Sequence, residues 1–183
     1  MAETNVGKWN DWYANYSRSP EGVRLYGDPT TYLLAAAFFA DAEEVEDGGC
    51  GLGGFRQFCL TKYRGLDGSK TPFADQIVDL CEHRSTSPAI LLRHVLEHNH
   101  DWLKVLKSAV ASFQRKLCIV IFTPFTETTK VIAENKMLGG NVPDISFYRA
   151  DIERELAGLR WRLMQGLRTQ SQYGCEHVYF VWR

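Results

Sequence analysis

The sequence predicts an α/β fold with a mostly parallel seven-stranded sheet, closed by an antiparallel C-terminal hairpin, and three observations lead there. From Glu43 onward, apolar strand-like runs alternate with helix-periodic segments, the order that a parallel sheet with crossover helices requires. A glycine cluster, Gly48-Gly49-Cys50-Gly51-Leu52-Gly53-Gly54, follows the first such run directly and reads as a strand-to-helix turn. Near the end of the chain, two extended segments flank a turn rich in Ser, Gln and Gly, which predicts the hairpin.

Each element has its own signal. Trp9, Trp12, Tyr13 and Tyr16 recur at helical spacing and predict a short N-terminal helix whose aromatic face packs on the body, with a substrate-covering lid as the alternative. Asp28-Pro29 opens a second helix through Tyr32 to Phe39, with Asp28 as N-cap and Pro29 at the first helical position. Strands are predicted over Glu44 to Gly48, Tyr63 to Leu66 ending at Asp67, Ile77 to Leu80, Ala89 to Arg93 and Lys116 to Thr123, with a helix over Leu52 to Leu60 joining the first two. His100 to Phe113 is helix-periodic through Trp102, Val105, Leu106, Ala109 and Phe113. Pro124 to Val142 is polar with two glycines near its end, which predicts a long connection over the mouth of the sheet. A helix over Asp151 to Leu159 leads into the hairpin strands, Arg160 to Arg168 and His177 to Trp182.

With 183 residues, 45% of them hydrophobic, the chain suffices for one core and is short for two, so a single domain over 1–183 is expected, with 1–40 as a helical cap. The formal charge of −1 supplies no general field for a phosphate backbone, and bulk nucleic-acid binding is not expected. Five scattered cysteines without a C-x-x-C pair predict reduced thiols in a cytoplasmic setting. Met1 to Ser19 lacks the plan of a signal peptide, and the most apolar run, Leu33 to Ala40, is far below the ~20 residues a membrane-spanning helix needs. Neither secretion nor membrane insertion is expected.

Gly49, Gly51 and Gly54 fit the G-x-G-x-x-G spacing of a dinucleotide site, but Glu46 and Asp47 precede them. Two carboxylates there would repel a pyrophosphate and attract a ligand carrying an ammonium and a sulfonium, which argues for S-adenosylmethionine over a nicotinamide cofactor.

From about Tyr26 to the C-terminus the chain resembles the class I S-adenosylmethionine-dependent methyltransferases, whose fold is a three-layer Rossmann-like sandwich. The run Glu46 to Gly53 is similar to the family's first motif, which implies that Asp47, Gly49, Cys50, Gly51 and Gly53 cradle the methionine end of the cofactor. Tyr63-Arg64-Gly65-Leu66-Asp67 is similar to the second, which implies that Asp67, with Gly68 beside it, takes the ribose hydroxyls. A separation of ~20 residues is what a βαβ unit imposes, and a carboxylate suits a vicinal diol because it accepts two hydrogen bonds. Val78-Asp79-Leu80 resembles the third motif and implies Asp79 at the adenine amino group and Leu80 against the ring.

Leu92-Arg93-His94-Val95-Leu96-Glu97-His98 resembles the segment beside the reacting centre of small-molecule methyltransferases. That likeness implies cofactor contact by Arg93 and His94, and makes His94, His98 and Glu97 the catalytic candidates, His94 accepting the proton of a substrate hydroxyl. The family's glycine pair before the fifth strand is replaced by Ser112-Phe113-Gln114-Arg115-Lys116, and the D/N-P-P-Y/F and Pro-Cys signatures of DNA-base methylation are absent. The resemblance implies methyl transfer to a hydroxyl of a small molecule or glycan, with S-adenosylhomocysteine as product. An RNA- or protein-directed methyltransferase and a non-catalytic S-adenosylmethionine-binding protein are the alternatives. His94 to His98 also matches H-x-x-E-H of an inverted zinc peptidase, a remote reading that needs all five residues in one helix; no metal is expected.

Overall fold

The computed structural model describes residues 6–16, 23–135 and 142–183. Residues 1–5 and 17–22 of the expected cap, and the glycines of the 124–142 connection, lie outside the described residues. Seven strands form the main sheet: β1 (Glu44–Gly48), β2 (Lys62–Asp67), β3 (Gln76–Ile77), β4 (Ala89–Arg93), β5 (Lys116–Ile121), β8 (Arg160–Arg168) and β9 (Cys175–Trp182). The strands β6 (Lys130–Asn135) and β7 (Val142–Ser146) pair with each other in a separate antiparallel ribbon. Around them lie α1 (Asn10–Tyr13), α2 (Thr30–Phe38), α3 (Trp102–Ser112) and α4 (Arg149–Glu155).

The main sheet runs β3-β2-β1-β4-β5-β9-β8, parallel through β5 and antiparallel across β5/β9 and β9/β8. Chain order reverses between β1 and β4, and the groove above that point is where an open α/β sheet builds its binding site. All five residues of β4 are buried, as in a strand covered on both faces. Side chains alternate along it. Ile90 and Leu92 join Leu117, Ile119 and Tyr179 under α3 and α4, while Ala89 and Leu91 join Cys118, Val120 and Phe180 under α2. The result is the expected three-layer sandwich with its terminal antiparallel hairpin. No helix among the described residues is long and apolar enough to cross a membrane.

Four expectations are corrected. The helix over 52–60 is absent. Left-handed glycines keep the chain turning as far as Gly53, and one 3-10 turn, Phe55–Gln57, is all that follows. The strand over 77–80 shrinks to Gln76–Ile77, because Asp79 Oδ1 accepts the Cys81 N–H at 2.9 Å and turns the chain away from the sheet. The 124–142 connection carries β6 and leads into β7, whose five residues are all buried. Pro29 sits at the N-cap of α2 instead of its first turn, and Asp28 Oδ1 accepts the Thr30 N–H at 2.9 Å from one residue further out.

Candidate functional site

Along β1, Glu46 and Asp47 point to opposite faces of the sheet, as neighbours on a strand must. Glu46 is buried against Arg64 (2.8 Å) and His83 (2.9 Å), away from the cavity. The two carboxylates therefore do not act as a pair, and the charge argument from sequence reduces to Asp47 alone. That side chain lines a cavity above the β1/β4 switch point, where an open α/β sheet places its ligands.

The glycine turn forms one wall. Gly49 has φ +76° and a Cβ there would stand 2.5 Å from Val95 Cγ2, so only glycine fits. Gly51, at φ +53°, donates its N–H to Asp67 Oδ2 at 3.0 Å, and its carbonyl accepts the Thr71 hydroxyl at 2.5 Å. Gly49 and Cys50 both donate N–H groups to the Leu66 carbonyl, at 2.8 and 2.9 Å, which stitches the turn to the end of β2. Asp67 Oδ1 also accepts the Ser69 N–H at 2.8 Å. The Gly68 N–H also supports this carboxylate, whose remaining acceptor capacity is left for a ligand.

Burial shapes the chemistry of these acids. It pushes the Asp47 carboxyl up to about 7, against a single side-chain hydrogen bond from the Tyr63 hydroxyl at 2.9 Å. Burial likewise pushes Asp67 up to about 6. The Arg93 charge and the Tyr63 bond oppose burial at Asp47, and only backbone N–H groups oppose it at Asp67, so a cationic ligand would favour the ionised form of both. Cys50 lines the same wall, and burial holds its thiol well above the usual range, so it is inert.

Among the sequence-predicted residues, Asp47, Gly49, Cys50, Gly51, Asp67, Gly68, Asp79, Leu80, Arg93, His94 and His98 all line the cavity, and two do not. Gly53 lies against Phe73, and Gly54 takes its place on the wall. Glu97 is fully buried beside β5, where its Oε1 accepts the Phe122 N–H at 2.6 Å and burial pushes its carboxyl up to about 7.

Arg93 lines the cavity, yet its five donors are all committed. Nε reaches Thr31 Oγ1 at 3.1 Å; one terminal nitrogen reaches the Tyr32 hydroxyl (2.8 Å) and His94 Nδ1 (3.4 Å); the other reaches the Tyr26 carbonyl (2.7 Å) and Glu176 Oε1 (2.8 Å). His94 has φ 57°, the only left-handed non-glycine backbone among the described residues. Its Nδ1 accepts from Arg93, and its Nε2 lies 2.5 Å from Glu176 Oε1, so both nitrogens are occupied. Burial and the Arg93 charge push His94 down to about 3. The helix that an H-x-x-E-H zinc site requires is missing, since the left-handed His94 is followed by a 3-10 turn over Leu96–His98.

Sequence reasoning held the roof only as the alternative reading of the aromatic helix, and it missed Asp144. Lys8, Trp9, Tyr13, Tyr26 and Tyr32 cover the cavity. The segment carrying α1 is tied to the loop after β2 by Gly7 N–H to the Gly68 carbonyl (2.6 Å) and Trp9 N–H to Ser69 Oγ (2.8 Å). Asp144 of β7 reaches His98 from the far side, at 3.3 Å. The aromatic helical spacing was legible, but it did not decide between packing on the body and covering the site. Asp144 had one sequence signal, a carboxylate inside the run Val142-Pro143-Asp144-Ile145.

No family model and no curated protein matches this chain. Solved structures do. The N-terminal domain of EvdMO1, crystallised in the presence of S-adenosylhomocysteine and D-fucose, aligns over 94% of this chain and 93% of its own, with TM-score 0.64 and 15% identity. The fold is that of the class I methyltransferases. A Burkholderia thailandensis 1,6-didemethyltoxoflavin-N1-methyltransferase with its substrate and S-adenosylhomocysteine bound aligns over 84% and 76% (TM-score 0.60, 13% identity). The Synechocystis PCC 6803 magnesium protoporphyrin IX methyltransferase with bound S-adenosylhomocysteine aligns over 84% and 82% (TM-score 0.60, 16% identity). At these identities the likeness is one of methyltransferase fold.

Proposed function

We propose that this chain is a cytoplasmic S-adenosylmethionine-dependent methyltransferase acting on a hydroxyl of a small molecule or glycan. One observation carries the reading: at the switch point of a methyltransferase fold, a left-handed glycine turn and two buried carboxyls, Asp47 and Asp67, converge on one cavity. The donor set fits the cofactor. Asp47, buried with its carboxyl raised despite the Arg93 charge, suits the ammonium; Asp67, held by Gly51 and Ser69, suits the ribose diol; Asp79 keeps one oxygen beyond its bond to Cys81 for the adenine amino group, with Leu80 against the ring. When bound, S-adenosylmethionine supplies a sulfonium methyl group for in-line displacement. The protein then has to hold the acceptor, exclude water and take up one proton, and positioning alone is worth up to ~7–11 kcal/mol.

Of the three candidate proton acceptors, Glu97 is turned away from the cavity and His94 has both nitrogens occupied. His98 remains, on the cavity wall beneath Trp9 at a ring distance of 5.5 Å. The roof of Trp9, Tyr13 and Tyr26 suits a flat ring or the apolar face of a sugar. Three structural neighbours fit this class, namely the domain crystallised with D-fucose, the toxoflavin enzyme and the mitomycin 7-O-methyltransferase. Five free cysteines agree with a reduced, cytoplasmic setting.

Titration calorimetry with S-adenosylmethionine, S-adenosylhomocysteine and NAD tests the reading. Micromolar binding of the first two and none of NAD is expected, with Asp67→Ala weakening them at least tenfold through two lost hydrogen bonds of about 1 kcal/mol or more each. Binding of NAD in preference would overturn it.

A further inference from the structure

We propose that Asp144 and His98 form a proton-accepting dyad, in which Asp144 is the positioning residue that fixes the His98 ring so that Nε2 takes the acceptor proton. This rests on reading the cavity as a methyl-transfer site.

The geometry selects one tautomer. His98 Nδ1 faces two oxygens, the Pro143 carbonyl at 3.1 Å and Asp144 Oδ1 at 3.3 Å, and neither can donate. Nδ1 must therefore carry the hydrogen, and in the neutral ring Nε2 is left with the lone pair. Among the described residues nothing hydrogen-bonds Nε2, and the ring lines the cavity. Trp9 edges the ring at 5.5 Å and Phe122 packs at 5.3 Å, which leaves it little room to turn.

Asp144 is held in turn from another part of the chain. Its Oδ2 accepts the Tyr173 hydroxyl at 2.8 Å and Gln172 Nε2 at 3.0 Å, both from the turn between β8 and β9. Burial alone would raise this carboxyl. The bonds from His98 and Tyr173 outweigh it and keep the group below the usual carboxylate range, ionised at neutral pH. When the acceptor O–H bond breaks, an Nε2–H bond forms, the imidazolium is balanced by the Asp144 charge, and the proton passes to solvent after product leaves. The remaining titratable or charged groups around the ring are Lys8, whose Nζ donates to the His98 carbonyl at 3.0 Å, Glu97, neutral His94 and, through Asp144, Tyr173.

Long-range proton–nitrogen spectra of ¹⁵N-histidine-labelled full-length protein, recorded from pH 4 to 9, test the dyad without any acceptor in hand. Wild-type His98, assigned by its loss in His98→Gln, is expected to hold its hydrogen on Nδ1 at high pH. In Asp144→Asn, which loses the charge that favours a hydrogen on Nδ1, part of the ring population is expected to carry its hydrogen on Nε2 instead. A hydrogen on Nε2 in wild type overturns the dyad, even if Asp144→Asn does not fold, and so does an unchanged tautomer in a folded variant. Calorimetry with S-adenosylmethionine on the same samples separates the two questions: wild type failing to bind it removes the methyltransferase reading, whereas binding within about twofold in Asp144→Asn leaves that reading intact whatever the spectra show.

Discussion

At the residue scale, Arg93 is the most heavily used side chain of the cavity. Its guanidinium also stacks 3.7 Å from the Tyr32 ring centroid, so it joins the end of β4 to α2, to the Tyr26 segment and to β9 at once. From sequence its place at a strand end suggested cofactor contact. Its hydrogen-bonding partners Tyr32 and Glu176 lie 61 and 83 positions away, and no local pattern could have named them. Replacing it by lysine keeps a charge but loses the planar fork, leaving Thr31, Tyr32 and the Tyr26 carbonyl competing for a point donor. Arg93→Lys is expected to lower unfolding stability by roughly 2–3 kcal/mol in urea titration, since each buried group left unpaired costs about 1–3 kcal/mol. Arg93→Met, which strands the buried Glu176 charge, is expected to cost more, about 3–5 kcal/mol. The Glu176 carboxylate, which burial would raise, is held below the usual range by His94 and Arg93. Its contribution is therefore complete above the unfolded carboxyl value and is lost only as pH falls through the depressed one.

At the element scale, the sequence made plain which strands exist and in what order, because β4 and β5 are apolar runs too continuous for anything but a doubly covered strand. The glycine turn was equally plain, but its consequence was not: once Gly49, Gly51 and Gly53 adopt left-handed backbone, too few residues remain before β2 for the crossover helix. The ribbon of β6 and β7 went unread because its strands are short and their pairing is set only by the other strand. The turn's geometry is testable at Gly49. A methyl group there meets Val95 and locks a backbone that L-residues avoid, so Gly49→Ala is expected to cost roughly 1–3 kcal/mol in the same titration. Gly174, also left-handed but with nothing within 4 Å of its absent Cβ, is the control: Gly174→Ala carries the backbone cost without the clash, and a loss as large as that at Gly49 would show that Val95 is not the reason.

At the scale of the whole molecule, the sheet gathers Asp47 and Asp67 at the carboxyl end of its central strands. Among the described residues, the cations that line the cavity are Lys8, whose Nζ reaches the His98 carbonyl, and Arg93, every donor of which is already spent. The charge judgement read from Glu46 and Asp47 is thereby changed: the acids at the carboxyl ends of β1 and β2 that line the cavity, Asp47 and Asp67, are not neighbours in sequence. That pairing depends on the parallel register Asp47↔Gly65 and Gly48↔Leu66, which a single sequence does not display. The sign of its pH dependence follows. Burial raises both carboxyls in the free protein, Asp47 to about 7 and Asp67 to about 6, so below pH 6 both are largely protonated and an ammonium finds no partner. A cationic ligand stabilises the ionised forms, hence its binding releases protons and tightens as pH rises. The dissociation constant for S-adenosylhomocysteine is expected to fall about tenfold or more between pH 5.5 and 7.5, with the steepest change near 7, at up to tenfold per pH unit for each carboxyl that must ionise. Asp47→Asn should weaken binding at pH 7.5 and remove the upper part of that dependence, leaving the portion due to Asp67. Calorimetry in buffers of different ionisation enthalpy counts the protons directly. Proton uptake on binding, or a variant with the full wild-type slope, would mean that Asp47 does not meet the ligand's positive charge.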